Sequence, residues 1–143
     1  MRAVRGIQIA LDRDDKKIIE KMGAVAAFKG YRGYPATVCA SINEEIVHGI
    51  PGDRKLVSGD ILSIDVGLIY DGFVGDMACT VPVGPIDDEK QKLLEVTEQS
   101  LEKAIEKARP ENRLSDISHA VESWTEKHGF SVVRDFVGHG RGR

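Results

Sequence analysis

Asp65 and Asp76 stand eleven residues apart in Ile61-Leu-Ser-Ile-Asp65-Val-Gly-Leu-Ile-Tyr-Asp-Gly-Phe-Val-Gly-Asp76, and His139 follows much later between two glycines. Carboxylates and imidazole are ligands for Mn, Fe, Co or Zn, and a bridging carboxylate lets two metals sit close together. The chemistry such a cage supports is hydrolysis by an activated water. Spacing alone leaves a plainer reading equally open, with Asp65 a charge near a strand end and Asp76 an acid beside a turn. Asp65, however, lies inside the apolar run Ile-Leu-Ser-Ile-Asp-Val, where an uncompensated carboxylate is costly. A cation is one way to remove that cost.

The other histidines carry less weight on their own. His48 in Val47-His-Gly-Ile-Pro51 reads first as a turn residue with a satisfied ring, and only second as a reactive group. His119 and His128 fall on a helical pattern where solvent or ordinary packing accounts for them. The glycines beside His139 allow close backbone approach, although Gly-His-Gly is also a common loop.

The elements that must position these groups follow from periodicity. Ile61 to Val66 is an apolar strand run and Phe73 to Val83 its returning partner, with Asp71-Gly72 the strongest short-range hairpin signal in the chain. A two-residue turn sets Tyr70 against Phe73 and Asp76 against Gly67. Gly67 shares a face with Asp65, so the carboxylates become same-face diagonal neighbours, with backbones roughly 7–8 Å apart. A three-residue loop would send them to opposite faces, so the metal reading depends on register.

Before the hairpin, residues 14–22 predict two helical turns, with Ile18, Ile19 and Met22 on one side and Gly23 as the stop. Gly30-Tyr-Arg-Gly33-Tyr-Pro35 predicts a loop, and Thr37 to Val47 two short strands around a turn at Asn43-Glu-Glu45. After it, residues 87–109 predict a helix capped by Asp87 or Asp88 and ended by Pro110. Leu114, Ile117, Val121 and Trp124 set a second helix, stopped by Gly129. Phe130 to Val137 returns to strand character and delivers His139.

With 143 residues the chain is one domain's worth, enough to bury roughly 70% of its unfolded surface. A net charge of −3, with 30% charged residues, lacks the basic excess that nucleic-acid binding needs. No apolar run reaches the ~18 residues of a membrane span, and charge breaks the first residues before any signal core forms. The expected compartment is the cytoplasm, with Cys39 and Cys79 reduced and packed rather than reactive.

Several segments carry a family resemblance: Phe28-Lys-Gly-Tyr-Arg-Gly-Tyr-Pro35, Val38-Cys-Ala-Ser-Ile-Asn-Glu-Glu-Ile-Val-His48-Gly-Ile-Pro51, Gly59-Asp-Ile-Leu-Ser-Ile-Asp65-Val-Gly67, Gly72-Phe-Val-Gly-Asp76 and Phe130-Ser-Val-Val-Arg-Asp-Phe-Val-Gly-His139-Gly140. In order and nearly in spacing, from Gly23 to about Gly140, they resemble type I methionine aminopeptidase. The resemblance implies an incomplete pita-bread fold of the α/β (α+β) class, an antiparallel sheet with helices on one side. It implies a single partial domain over 1–143: a shortened segment at 1–22, the substrate loop and metal hairpin at 23–86, and two helices with the His139 strand at 87–143.

The same resemblance makes Asp65, Asp76 and His139 metal ligands, and His48 the catalytic histidine that meets substrate near the scissile amide. Tyr31, Tyr34 and Cys39 match positions lining the methionine side-chain pocket. The implied activity is release of the initiator methionine from nascent polypeptides, with methionyl peptides as substrates and ribosome association as a further expectation. The cofactors are divalent ions (Co, Mn, Fe or Zn), two per site in the family and one or none here.

The departures are specific. The family's two glutamate ligands and a further substrate-contacting histidine come after the position of His139 and are not in this chain, while the two amino-terminal helices are compressed by about one and a half. Glu44, Glu45, Glu122 and Glu126 occupy a turn and a helix and do not replace the glutamates. Arg141 stands where the family has an aliphatic residue, a cation beside an expected ligand that disfavours metal unless it points away. The alternative reading is a non-catalytic pita-bread binding module, or an inactive fragment.

Overall fold

The computed structural model describes residues 8–140, so the expectation attached to Arg141 lies outside the described residues, as does the start of the 1–22 segment. The described elements are α1 (Gln8–Lys21), β1 (Val25–Ala26), β2 (Val38–Ile42), β3 (Ile61–Tyr70), β4 (Phe73–Pro82), α2 (Asp88–Lys107) and α3 (Leu114–Lys127). They form two compact units divided between Ile86 and Asp87.

The first unit is a mixed α/β layer built on an antiparallel sheet. β3 is its centre: β4 pairs along its whole length, while β1 and β2 share its other side end to end. Asp71 and Gly72 both have positive φ, at 48° and 79°, as a two-residue primed turn requires. The register is the one the metal reading needs, with Tyr70 opposite Phe73 and Gly67 opposite Asp76.

The core lies on the sheet face opposite the carboxylates. Ala40, Ile42, Leu56, Leu62 and Val83 cluster there, with Leu11 of α1 and Ile64 against them. Burying each of the larger side chains stabilises the unit by about 1.5–3 kcal/mol. α1 begins at Gln8, earlier than its apolar spacing predicts, because polar side chains tie it down. Gln8 Nε2 donates to Ala40 O at 2.8 Å, and Asp12 Oδ1 accepts from the backbone N–H groups of Thr37 (2.6 Å) and Val38 (3.0 Å).

Two expected strands are absent. Past the turn at Asn43 no second strand forms: Glu45 N–H donates to Ile42 O at 3.1 Å, and Gly49 returns to β2 through Ala40 N–H donating to Gly49 O at 2.8 Å. His48 at φ 60° breaks the extended run. Residues 130–137 are irregular too, despite their strand-like pattern, and Val133, Phe136 and Val137 stay exposed. A strand needs a ladder partner, and among the described residues this segment has none.

The second unit, Asp87–Gly140, pairs α2 with α3. Asp87 caps α2 by accepting from Lys90 N–H at 2.8 Å, and Gly129 (φ 86°) follows α3 as its stop.

Candidate metal centre

Pleating and register together place the two aspartates. Asp65 on β3 faces Cys39 of β2 and Ala78 of β4, and Asp76 on β4 faces Gly67, so all five residues share one surface of the sheet. Asp65 is half-buried and Asp76 exposed. One row further along, Ser63 and Thr80 close the surface with a hydroxyl hydrogen bond of 2.8 Å.

Cys39 senses both acids. Burial pushes its thiol above the ordinary value, the hydrogen bond with Tyr34 draws it back, and the carboxylates of Asp65 and Asp76 add to the rise. Two charges acting on one thiol are what convergence on a common face produces.

The donor chemistry fits a divalent cation. Two carboxylates offer hard oxygen ligands, and β2, β3 and β4 contain no Lys, Arg or His to compete with a metal. Among the described residues no three His, Cys, Asp or Glu side chains gather as a metal-holding group. The hairpin thus supplies a two-donor arrangement, while His139 is an exposed residue of the second unit.

Gly67 gives the surface its wall. A Cβ there would fall 2.9 Å from both Cδ1 and Cζ of Phe28 and closer still to Cε1, so the ring occupies the space a side chain would need. Sequence reasoning passed over Phe28, although a glycine inside a strand is a signal of such close approach.

The remaining expected residues belong to two loops in the same unit. Tyr31 opens a single 3₁₀ turn and is 63% exposed, whereas Tyr34 is half-buried. The Tyr34 hydroxyl shares its proton between Val38 O (3.1 Å) and Gly49 O (3.0 Å), tying the tyrosine loop to the segment that bears His48. Burial foremost, then Cys39 and the more distant acids Asp12 and Asp65, hold that phenol protonated well past the tyrosine range.

Gly49 is pinned a second time by donating to Ser41 Oγ at 3.0 Å. Any Cβ on it would meet Ala40 C at 2.8 Å and Ser41 Cα at 2.9 Å, so only glycine lets this segment lie against β2. The result is an exposed His48 imidazole on a fixed backbone beside the strand that carries Cys39.

Comparison with known proteins adds an independent line. The model of metallopeptidase family M24 matches residues 4–143. Methionine aminopeptidase 1 of Bacillus subtilis (strain 168) is 53% identical over 133 residues, covering 93% of this chain and 54% of its own length. The crystal structure of methionine aminopeptidase from Rickettsia prowazekii superposes with a TM-score of 0.93 at 40% identity, covering 95% of this chain and 55% of that one. That from Thermotoga maritima gives 0.92 at 43% identity, again with 95% and 55% coverage. The chain thus spans about half the length of the relatives it matches, in an incomplete pita-bread fold.

Proposed function

The chain belongs to metallopeptidase family M24, and from that membership we propose that it acts as a metal-dependent aminopeptidase releasing the amino-terminal methionine of new polypeptides. The observation that carries the proposal is the hairpin register, which sets Asp65 and Asp76 on one face with Cys39 beside them.

In this reading Asp65 and Asp76 hold the cation and His139 is the imidazole ligand. When bound, Co, Mn, Fe or Zn supplies Lewis acidity and a water acidic enough to attack near neutral pH. The chain's own residues do the rest. Tyr31, Tyr34 and Cys39 receive the methionine side chain; aromatic faces and a neutral thiol suit a polarizable thioether. Tyr34 is a fixed wall rather than an acid, since burial holds its proton on well past the tyrosine range and its hydroxyl is anchored at Val38 O and Gly49 O. His48 donates or accepts at the scissile amide, held in reach by the pinned Gly49. Nascent chains, presented at the ribosome in the cytoplasm, are the natural substrates of such a site. No helix among the described residues is long and apolar enough to cross a membrane.

A methionyl tripeptide release assay with added Mn or Co tests the proposal. Turnover that disappears in Asp76→Ala supports it; absent turnover leaves only family kinship.

A second reading is favoured by one observation, the lack of a three-donor group among the described residues. In it the chain is a non-catalytic module that holds a methionyl terminus without cleaving it. Calorimetry with a methionyl peptide separates the two: metal-independent binding without product favours the module.

A further inference from the structure

β4 is the outermost strand of its sheet: it pairs with β3 on one side, and among the described residues no strand lies on the other. The direction of its backbone groups follows from its neighbours. Gly67 O accepts from Ala27 N–H on the β1 side, so the facing residues Gly67 and Asp76 are not a hydrogen-bonded pair, and alternation turns the backbone of Val74, Asp76, Ala78 and Thr80 outward. Val83 agrees in phase, since its N–H donates to Asp60 O on the β3 side at 2.8 Å.

Natural sheets guard an outward row of strand donors and acceptors with lysine, proline, a bulge or a very short strand. β4 lacks these guards along nearly all its length. It is ten residues long, follows β3 without a bulge, contains no Lys or Arg, and has its one proline at the last position. All of it but Val74 and Thr80 is exposed, and Met77 is 70% exposed. Such an edge fits another extended strand, and the order of its side chains selects which one.

We propose that the occupant is β4 of a second copy of this chain, running antiparallel about a two-fold axis at Met77. In this register Val74 meets Thr80 and Asp76 meets Ala78, so outward backbone faces outward backbone, and Phe73 lies against Val81 on both sides of the axis. Aromatic and β-branched side chains are a favourable cross-strand pair. Met77 meets itself, and Cys79 meets Gly75. The neighbouring registers are worse: an axis at Asp76 sets two carboxylates face to face, and an axis at Ala78 sets Val74 against Pro82, which has no N–H to give. With the axis at Met77 the two Asp76 residues are diagonal neighbours, their backbones roughly 7–8 Å apart, a like-charge contact that Asp76→Asn relieves.

Sedimentation velocity of the full chain in EDTA, from micromolar to near-millimolar concentration, reads the pairing as a passage from monomer to dimer. Asp76→Asn lowers the midpoint of association several-fold. Ala78→Pro abolishes association, because it deletes an outward N–H that the β3 ladder does not use, and slow thiol labelling of Cys39 shows that the variant keeps its sheet. Gly75→Cys reads the register, and its new Cβ falls an ordinary 3.4 Å from Leu68 Cδ1. Under oxidised glutathione it forms a disulfide with Cys79 of the second copy, whereas within one strand these positions are roughly 13 Å apart and cannot bond. A chain that stays monomeric throughout overturns the proposal, as does a dimer that survives Ala78→Pro with Cys39 still protected. A Gly75→Cys chain that gives no linked dimer where the wild type associates excludes this register and overturns it too. Association seen only after removal of residues 141–143 also overturns it, by making the chain itself the occupant of the edge.

Discussion

Gly67→Ala is the substitution in which local preference and tertiary packing disagree most sharply. In an isolated strand, alanine is favoured over glycine by roughly 0.5–1 kcal/mol through reduced backbone entropy of the unfolded chain. Here the new methyl would sit 2.9 Å from two ring carbons of Phe28 and nearer to a third. Ordinary carbon contacts need about 3.5–4.0 Å, so the ring must move by about 1 Å or leave its place over β3. Overpacking of this kind costs about 1–3 kcal/mol, and the net expectation is a loss of about 1–2 kcal/mol in the first unit.

Tryptophan fluorescence is the wrong monitor, because Trp124 lies on α3 of the other unit. The buried Cys39, 5% exposed on β2, is the right one. In a Cys79→Ser background, Gly67→Ala should speed thiol labelling of Cys39 under native conditions by about tenfold, the equivalent of 1.4 kcal/mol. Phe28→Ala combined with Gly67→Ala should remove the alanine penalty, leaving only the loss of the ring. A Gly67→Ala variant labelled at the wild-type rate would refute the claim that Phe28 fills this space.

Other expectations concern the supports of the site. Asn43 clamps the turn before His48 to the start of β3: it donates to Asp60 Oδ1 at 2.9 Å and accepts from Ile61 N–H at 3.0 Å. Asn43→Ala removes a partner of a buried carboxylate, and urea titration followed by Cys39 labelling should show a loss of about 1.5–3 kcal/mol. Tyr34 sets a pH limit. The folded chain keeps a phenolic proton that the unfolded chain releases near the usual value of about 10, so stability is full below that pH and falls as pH rises beyond it. Melting temperatures between pH 9 and 11.5 should drop more steeply for the wild type than for Tyr34→Phe; parallel curves would contradict the assignment.

The hairpin was readable because its determinants are local. Asp71-Gly72 selects a two-residue turn, that turn fixes register, and register carries Asp76 to the face of Asp65. The helices were equally open, since Asp87, Pro110 and Gly129 mark their ends in sequence. What stayed hidden depends on partners far along the chain. Gln8 and Asp12 lengthen α1 by binding β2 backbone, which no apolar period reveals.

β1 is two residues long and exists only through β3. Residues 130–137 have the alternation of a strand, but alternation describes a surface and not its neighbour. Of the candidate site, Asp65, Asp76 and Cys39 come together on β-sheet register alone, while the role of His139 came from resemblance.

Manganese relaxation mapping tests the central claim most directly. With the intact chain, substoichiometric Mn²⁺ should broaden amide resonances around Asp65, Asp76, Cys39 and Gly67, and either Asp65→Ala or Asp76→Ala should abolish that broadening. Broadening centred on other acids, such as Asp12 to Asp15 of α1, or broadening that survives both substitutions, would contradict a cation held jointly by the two strands.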